Sequence, residues 1–205
     1  MTAVKICGLT RPEDVEAAGA LGAAYVGFVF AASSPRRVTM DRARALAAAC
    51  PRGVLRVGVF ADEPAALVRN AVAAAGLDLV QLHRRLTEED LAATPVPVIA
   101  VARPAPRGFA VPRPELLVRC HAVLFDSSEG TGTALDPARV EEATGSVPAL
   151  VAGGLTPESV GATIRRLRPA GVDVATGVES APGIKDRGKL ERFFAAVQEA
   201  DARAF

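Results

Sequence analysis

Two hydrophobic patterns alternate along the whole chain. Apolar runs of five or six residues, the length of a buried strand, are separated by longer segments with helical spacing of apolar residues. The short runs predict eight strands, at residues 3–7, 25–30, 55–60, 78–83, 97–101, 122–126, 148–152 and 171–175. The longer segments predict helices at 12–21, 41–50, 64–75, 114–120, 137–143, 157–167 and 189–202, and a short one opening at 87–90.

Local signals mark several of these boundaries. Gly22, Pro51 and Gly76 follow the first three helical segments and are typical residues for ending a helix. Thr87 and Asp90 have the spacing of a capping box. The proline-rich stretch 103–113 is predicted to be the least regular part of the chain.

Eight strands that alternate with helices predict a parallel sheet built from right-handed βαβ units. Eight such units without an additional domain fit an α/β fold, a single (β/α)8 (TIM) barrel domain that covers residues 1–205. A doubly wound open sheet is the alternative. It usually carries a dinucleotide-binding fingerprint after the first strand, and none is present here.

Composition excludes several classes of protein. The formal net charge is +1, from 24 basic and 23 acidic side chains, and no block of like charge predicts a nucleic-acid or membrane partner. The three cysteines are widely spaced, which argues against a disulfide framework or a structural zinc site. No apolar run approaches the length of a membrane span, and the start of the chain lacks the features of a signal peptide. We therefore expect a cytoplasmic protein without a metal.

In such a barrel the chemistry lies at the carboxyl ends of the strands. Cys7 stands at the end of the first strand and is followed by Gly8 and a helix-start signal. A free cysteine is also a common packing residue, so this position alone leaves both readings open. Lys5 lies two residues earlier on the same face of the strand, and we hypothesise that it lowers the pKa of the thiol.

Two glycine loops follow the last two predicted strands. Gly153 and Gly154 come before a helical segment, and Thr176 and Gly177 follow the eighth strand. Glycines in such loops let backbone N–H groups approach an anion, and barrels often bind phosphate at these two places. The alternative is that these glycines only form tight turns. Together with a thiol and with Asp126 at the end of the sixth strand, they predict proton transfer on a phosphorylated small molecule.

The chain resembles the phosphoribosylanthranilate isomerases, enzymes of tryptophan biosynthesis. The resemblance runs over nearly the whole chain, and its specificity lies in the order and spacing of many short pieces. These are residues 5–10, 26–30, 34–36, 57–60, 80–83, 125–126, 130–132, 153–158, 172–174, 177–179 and 182–186.

The resemblance implies a (β/α)8 barrel that needs no metal or organic cofactor. It implies an Amadori rearrangement of N-(5′-phosphoribosyl)anthranilate to 1-(2-carboxyphenylamino)-1-deoxyribulose 5-phosphate, with Cys7 as general base and Asp126 as general acid. Arg36 would contact the anthranilate carboxylate, and His83 would line the site. The full set of substrate-binding residues implied is Lys5, Arg36, His83, Gly153, Gly154, Asp173, Thr176 and Gly177.

Several positions differ from the family's usual pattern. Arg84 replaces a common glycine, Thr133 a common lysine, Pro137 a frequent tryptophan and Arg37 a frequent aromatic residue. Residues 175–176 replace a frequent pair of serines. None of these changes removes the predicted acid or base, so they bear on substrate affinity more than on the type of reaction.

Four other functions are the alternatives for such a barrel. A Schiff-base aldolase needs a lysine where Asp126 stands, and a metal-dependent epimerase needs more histidines than the two present, His83 and His121. The related histidine-pathway isomerases use two aspartates rather than a cysteine and an aspartate. A non-catalytic phosphate sensor on the same fold is not excluded. The size of the chain favours a monomer and leaves a homodimer open.

Overall fold

The computed structural model describes residues 1–105, 108–127, 140 and 144–203. Its strands are β1 (Ala3–Ile6), β2 (Tyr25–Val29), β3 (Leu55–Phe60), β4 (Leu79–Leu82), β5 (Val98–Ala105), β6 (Gly108–Ala110), β7 (Ala122–Asp126), β8 (Ala149–Ala152), β9 (Gly171–Val174), β10 (Glu179–Ala181) and β11 (Ile184–Lys185). Its α-helices are α1 (Pro12–Ala20), α2 (Met40–Ala48), α3 (Ala65–Ala75), α4 (Glu88–Ala93), α5 (Pro114–Leu117), α6 (Val160–Leu167) and α7 (Arg187–Ala202). Thr176–Val178 form one 3-10 turn.

Eight parallel strands close into a barrel, which confirms the predicted fold. The order around the barrel is β4-β3-β2-β1-β9-β8-β7-β5, and a further pairing of β4 with β5 closes the ring. Side chains alternate between the two faces of each strand. One apolar cluster fills the barrel interior, with Val57, Ile99 and Leu124 among its buried members, while a larger cluster lies between strands and helices.

The carboxyl ends of the strands bring the predicted site residues to one end of the barrel. In every barrel strand the carboxyl end points to the same mouth, because all neighbouring pairs are parallel. Most predicted boundaries agree with the structure within a few residues. The capping box at α4 is also confirmed, because Thr87 accepts from the backbone N–H of Asp90 and the Asp90 side chain accepts from that of Thr87.

Three regions differ from the prediction. The stretch 103–113 is more regular than expected: β5 continues to Ala105 and pairs with β6 in antiparallel register, with Arg103 opposite Ala110. Pro104 is tolerated in β5 because, among the described residues, the part of β5 beyond Ala102 pairs on one side only, with β6. The small hairpin of β10 and β11 was not predicted.

Helix α6 begins at Val160 rather than at residue 157, after a turn whose Ser159 side chain accepts from the Thr156 backbone N–H at 2.9 Å. The predicted helix at 137–143 lies outside the described residues, apart from position 140. Among the described helices, none is both long enough and apolar enough to cross a membrane.

Candidate active site

The carboxyl ends of the strands surround a cavity of about 570 Å³. Nine of the ten site residues predicted from the sequence line it: Cys7, Arg36, His83, Asp126, Gly153, Gly154, Asp173, Thr176 and Gly177. The tenth, Lys5, is fully buried and is not among the lining residues. The fold therefore collects residues from six strand ends into one place.

Cys7 follows β1 directly, and its backbone N–H donates to the Val174 carbonyl at 2.9 Å. Its side chain is half-buried and lies over Gly27 of β2. A Cβ atom at position 27 would stand 2.9 Å from the Cys7 Sγ and 3.3 Å from the Lys5 Nζ. The absence of a side chain at Gly27 is thus what leaves room for the thiol and the ammonium group.

Beneath the cavity lies a buried ion pair. Lys5 of β1 and Asp173 of β9 are register partners, and the Lys5 Nζ is 2.9 Å from the Asp173 Oδ2. The other carboxylate oxygen, Oδ1, is buried and accepts no hydrogen bond from the described residues. The pair supplies a fixed positive and negative charge just below Cys7.

Some neighbours of Cys7 raise the pKa of its thiol and others lower it. Burial raises the pKa of the Cys7 thiol above its ordinary value; Lys5 lowers it and Asp173 raises it. Lys5 therefore acts in the direction that we hypothesised, but the net result is a raised pKa. The resting form at neutral pH is the thiol, and the thiolate is a minor form.

Asp126 is the last residue of β7 and stands beside Ala152 of β8 in the ladder. It is partly exposed at the cavity wall. The next residue, Ser127, is hydrogen-bonded to β8: both its backbone N–H and its hydroxyl donate to the Ala152 carbonyl at 3.2 Å. Glu129, the glycines at 130 and 132, and Thr133 lie outside the described residues.

His83 is paired with a residue that the sequence analysis did not single out. The Gln81 Nε2 lies 2.5 Å from the His83 Nε2, so an amide N–H donated there places the imidazole proton on Nδ1. Burial lowers the pKa of His83, although the nearby Asp126 carboxyl acts to raise it. A neutral imidazole fits a wall of the site better than a proton carrier.

Gln81 itself is 1% exposed and lines the cavity. Its Oε1 has no hydrogen-bond partner among the described residues. An uncompensated buried carbonyl oxygen is costly, and at the cavity wall it is available to accept a hydrogen bond from a bound molecule. The signal in the sequence was a polar residue inside the otherwise apolar strand β4.

The two glycine loops meet at the cavity edge. Gly153 and Gly154 have φ angles of 105° and 64°, in the left-handed region that favours glycine. A Cβ atom at Gly177 would collide with the Leu155 carbonyl oxygen, so the loops touch through this position. Thr176 and Gly177 begin the 3-10 turn, and the first amides of such a turn have no acceptor within it.

Arg36 makes a bidentate ion pair with Glu179 that was not predicted from the sequence. Its Nε and Nη2 donate to the two carboxylate oxygens of Glu179 at 2.9 and 2.7 Å, and Nη2 also donates to the Thr176 hydroxyl at 3.1 Å. Burial acts to raise the pKa of Glu179, but hydrogen bonds from Arg36 and Lys185 prevail and lower it to about 2. Arg36 thus reaches the cavity with its guanidinium held at a fixed angle.

The chain is a closed (β/α)8 barrel with a thiol, a carboxyl group and an imidazole at one mouth, which is where enzymes of the barrel class carry their active sites. A family model described as N-(5'phosphoribosyl)anthranilate (PRA) isomerase matches residues 4–196. The chain belongs to the N-(5′-phosphoribosyl)anthranilate isomerase family, and it is an enzyme.

Relatives of known name match over almost their full length. An N-(5'-phosphoribosyl)anthranilate isomerase of Chlorobaculum parvum is 40% identical over 215 aligned residues, which cover 98% of this chain and 97% of the relative. One from Halorhodospira halophila is 41% identical over 212 residues, covering 98% of both chains.

Solved structures give the same result. The phosphoribosyl anthranilate isomerase of Thermus thermophilus superposes with a TM-score of 0.81 at 38% identity, over 97% of this chain and 99% of that one. A second isomerase of the family has a TM-score of 0.81 at 29% identity, over 97% and 100%. It was solved in complex with reduced 1-(o-carboxyphenylamino)-1-deoxyribulose 5-phosphate.

Proposed function

We propose that this enzyme converts N-(5′-phosphoribosyl)anthranilate to 1-(2-carboxyphenylamino)-1-deoxyribulose 5-phosphate in L-tryptophan biosynthesis, with Cys7 as general base and Asp126 as general acid. The observation that carries the proposal is the placement of both groups on one cavity in a chain of this family. The related structure with the reduced product analogue supports the choice of substrate.

The strand order supports this assignment. Going around the barrel from the Cys7 strand to the Asp126 strand, β9 and β8 lie between β1 and β7. These two strands carry the glycine loops, so an anion held there would lie between the thiol and the carboxyl group. A phosphate seated on the loops would leave its sugar extending across the cavity between base and acid.

The proposed reaction begins with a proton from Asp126. Its carboxyl group protonates the ribose ring oxygen, the bond from that oxygen to C1′ breaks, and the lone pair of the anthranilate nitrogen forms an iminium. The Cys7 thiolate then removes the proton from C2′, and the released electrons neutralise the iminium as an enolamine. Tautomerisation gives the ketone, so the whole step is an isomerisation without an external oxidant or reductant. Each positioned acid or base contributes roughly 10²–10⁴-fold to the rate.

Other lining groups fit the remaining parts of the substrate. Asp173 Oδ1 and Gln81 Oε1 are buried acceptors without partners among the described residues, and sugar hydroxyl groups are suitable donors for them. Arg36 uses Nε and Nη2 for Glu179 and Thr176, which leaves its Nη1 group for the anthranilate carboxylate. His83 forms a neutral wall.

The test is to supply phosphoribosylanthranilate and to follow the loss of its fluorescence. We expect the wild type to convert it and Cys7→Ser and Asp126→Asn each to lose at least 100-fold in kcat, while both still bind the reduced product analogue. Cys50→Ser is the matched control: Cys50 lies between α2 and β3, before the amino end of that strand and away from the cavity, so the change should leave kcat unchanged.

Binding of the analogue without any turnover by the wild type would identify a sensor and overturn the proposed activity. Full activity of Cys7→Ser or Asp126→Asn would overturn the assigned role of that residue.

A further inference from the structure

A buried lysine outside the cavity reaches the backbone of Cys7. Lys185 is the last residue of β11, its side chain is 0% exposed, and it does not line the cavity. Its Nζ donates to the Cys7 carbonyl at 2.6 Å, to the Ala175 carbonyl at 3.2 Å and to the Glu179 Oε1 at 2.8 Å. An ammonium group has three N–H donors, and the three acceptors match that number.

These contacts join the ends of two neighbouring strands. Cys7 follows β1, and Ala175 follows β9 and comes directly before the 3-10 turn of the second glycine loop. The Cys7 N–H donates to the Val174 carbonyl of β9, and the ammonium group adds a second link, from the Cys7 carbonyl to the Ala175 carbonyl at the start of that loop. Burying a charge in this way is costly unless it is paired and hydrogen-bonded, and here Glu179 supplies the pairing.

Glu179 is itself anchored from several sides. Its Oε1 accepts from Lys185, from the Arg36 Nε at 2.9 Å and from the Gly183 backbone N–H at 3.1 Å. A continuous chain of charge-assisted hydrogen bonds therefore runs from Arg36 through Glu179 and Lys185 to Cys7. Bonds of this kind are shorter and stronger than neutral ones.

We propose that Lys185 is a positioning residue for the isomerase reaction: it fixes the Cys7 end of β1 against the second glycine loop and supplies positive charge behind the thiol. The inference rests on the proposed role of Cys7 as the base. Lys185 is not itself a lining residue of the cavity, so it acts through Cys7 rather than on the substrate.

Several charged groups face Cys7. Lys5 on β1 and Asp173 on β9 lie beneath it, Lys185 on β11 lies behind it, and Arg36 comes from the loop after β2. Asp126 and His83 line the same cavity. Lys5 and Lys185 act to lower the pKa of the thiol, while burial and Asp173 raise it. Removing the charge of Lys185 should therefore move that pKa further upward.

Two variants separate the hydrogen bond from the charge. Lys185→Met removes both, whereas Lys185→Gln keeps an N–H donor and removes the charge. The control is Lys189→Met, because the Lys189 Nζ donates to the Glu179 carbonyl at 2.7 Å in the same region and makes no bond to Cys7. Circular dichroism checks that each variant is folded.

Two measurements are made on each variant. The first is the pH profile of iodoacetamide modification at Cys7, followed by peptide mass spectrometry so that Cys50 and Cys120 do not interfere. The second is kcat and KM with phosphoribosylanthranilate. We expect Lys185→Met and Lys185→Gln to move the midpoint of the pH profile for Cys7 modification upward by about half a pH unit or more. We expect kcat to fall about tenfold in Lys185→Met and less in Lys185→Gln, with KM changed less than about twofold.

Midpoints and kcat values equal to those of Lys189→Met would overturn the inference, and so would a change confined to KM. If Lys185→Met does not fold, Lys185→Gln decides the question by the same criteria. Failure of the proposed function is a different result, because the wild type would then show no turnover, or Cys7→Ser would retain it, while the modification profile at Cys7 would still respond to Lys185.

Discussion

Lys5 and Asp173 stand opposite each other in the β1–β9 ladder and meet inside the barrel, with Nζ 2.9 Å from Oδ2. Their side chains are 0% and 6% exposed, so the ion pair is shielded from water. It forms a charged layer directly below the thiol of Cys7, in the part of the barrel where other members of the interior cluster are apolar. A charged layer of this kind makes the floor of the site depend on both partners.

We expect Asp173→Asn to destabilise the fold strongly. The Lys5 ammonium would remain buried without its carboxylate, and breaking a buried pair in this way costs about 3–5 kcal/mol. The matched control is Glu191→Gln, which breaks the Arg187–Glu191 pair, whose side chains are 77% and 52% exposed. Exposed pairs contribute roughly 0–1 kcal/mol. Urea unfolding measures both, and equal losses would show that burial of the Lys5–Asp173 pair has no energetic consequence.

Gly27→Ala should reduce turnover by displacing the thiol. The new Cβ would stand 2.9 Å from the Cys7 Sγ, closer than such atoms approach, and a tight 3.2 Å from the Cys7 Cα. We expect kcat to fall about tenfold or more and the free energy of unfolding to fall by about 1–3 kcal/mol, as is typical of overpacking. Steady-state kinetics and urea unfolding measure the two effects.

Gly188→Ala is the control for this substitution. Gly188 lies in α7, and the nearest atoms to an added Cβ are 3.4 Å away. We expect kcat to be unchanged and the helix to gain slightly in stability, because alanine has a higher helix propensity than glycine. A kcat for Gly27→Ala as high as that of Gly188→Ala would contradict the close packing of Gly27 against the thiol.

The sequence predicts the barrel and most of its mouth because both follow local rules. Alternating apolar runs specify buried strands, and the carboxyl end of a barrel strand is where side chains such as Cys7 and Asp126 converge. No long-range information is needed to place them, since closing the ring brings all eight strand ends together. This is why nine of the ten predicted residues line one cavity.

The network of Arg36, Glu179 and Lys185 could not be predicted in the same way. Its members are 143 and 6 residues apart along the chain, and their contacts depend on how a short hairpin folds back onto β1 and β9. The Pro182–Gly183 dipeptide is a turn signal that could have indicated this hairpin. It would not have shown that Lys185 points inward, because a lysine is ordinarily exposed.

His121 gives the stability a pH dependence that should not affect catalysis. His121 comes directly before β7, so it lies at the opposite end of the barrel from the cavity. Its Nε2 is 3.2 Å from the Tyr25 hydroxyl. Burial lowers the pKa of His121, so between that depressed pKa and 6.5 the unfolded state binds more protons. The free energy of unfolding should therefore fall as the pH decreases through 6.5.

Urea unfolding between pH 8 and pH 5 measures this dependence. His121→Gln should weaken it and leave kcat at pH 7.5 within about twofold of the wild type, since the active site is at the other end. Part of the dependence should remain, because the pKa of His83 is also lowered by burial. An unchanged pH profile in His121→Gln, or a large loss of kcat, would contradict this separation of the two ends.

Glu179 should control stability at acidic pH. Its pKa is lowered from 4.5 to about 2 by the hydrogen bonds of Arg36 and Lys185, which outweigh the effect of burial. The stabilisation is therefore complete above about pH 4.5 and is lost as the pH falls towards 2, because only the unfolded state takes up a proton in that interval. Glu179→Gln should flatten the decline of the unfolding free energy between pH 5 and pH 3, and should lower that free energy at pH 7.

Glu199→Gln, which removes an exposed partner of Arg203, should keep the wild-type profile. Parallel profiles for the wild type and Glu179→Gln would show that the carboxylate is not stabilised by its two cationic neighbours.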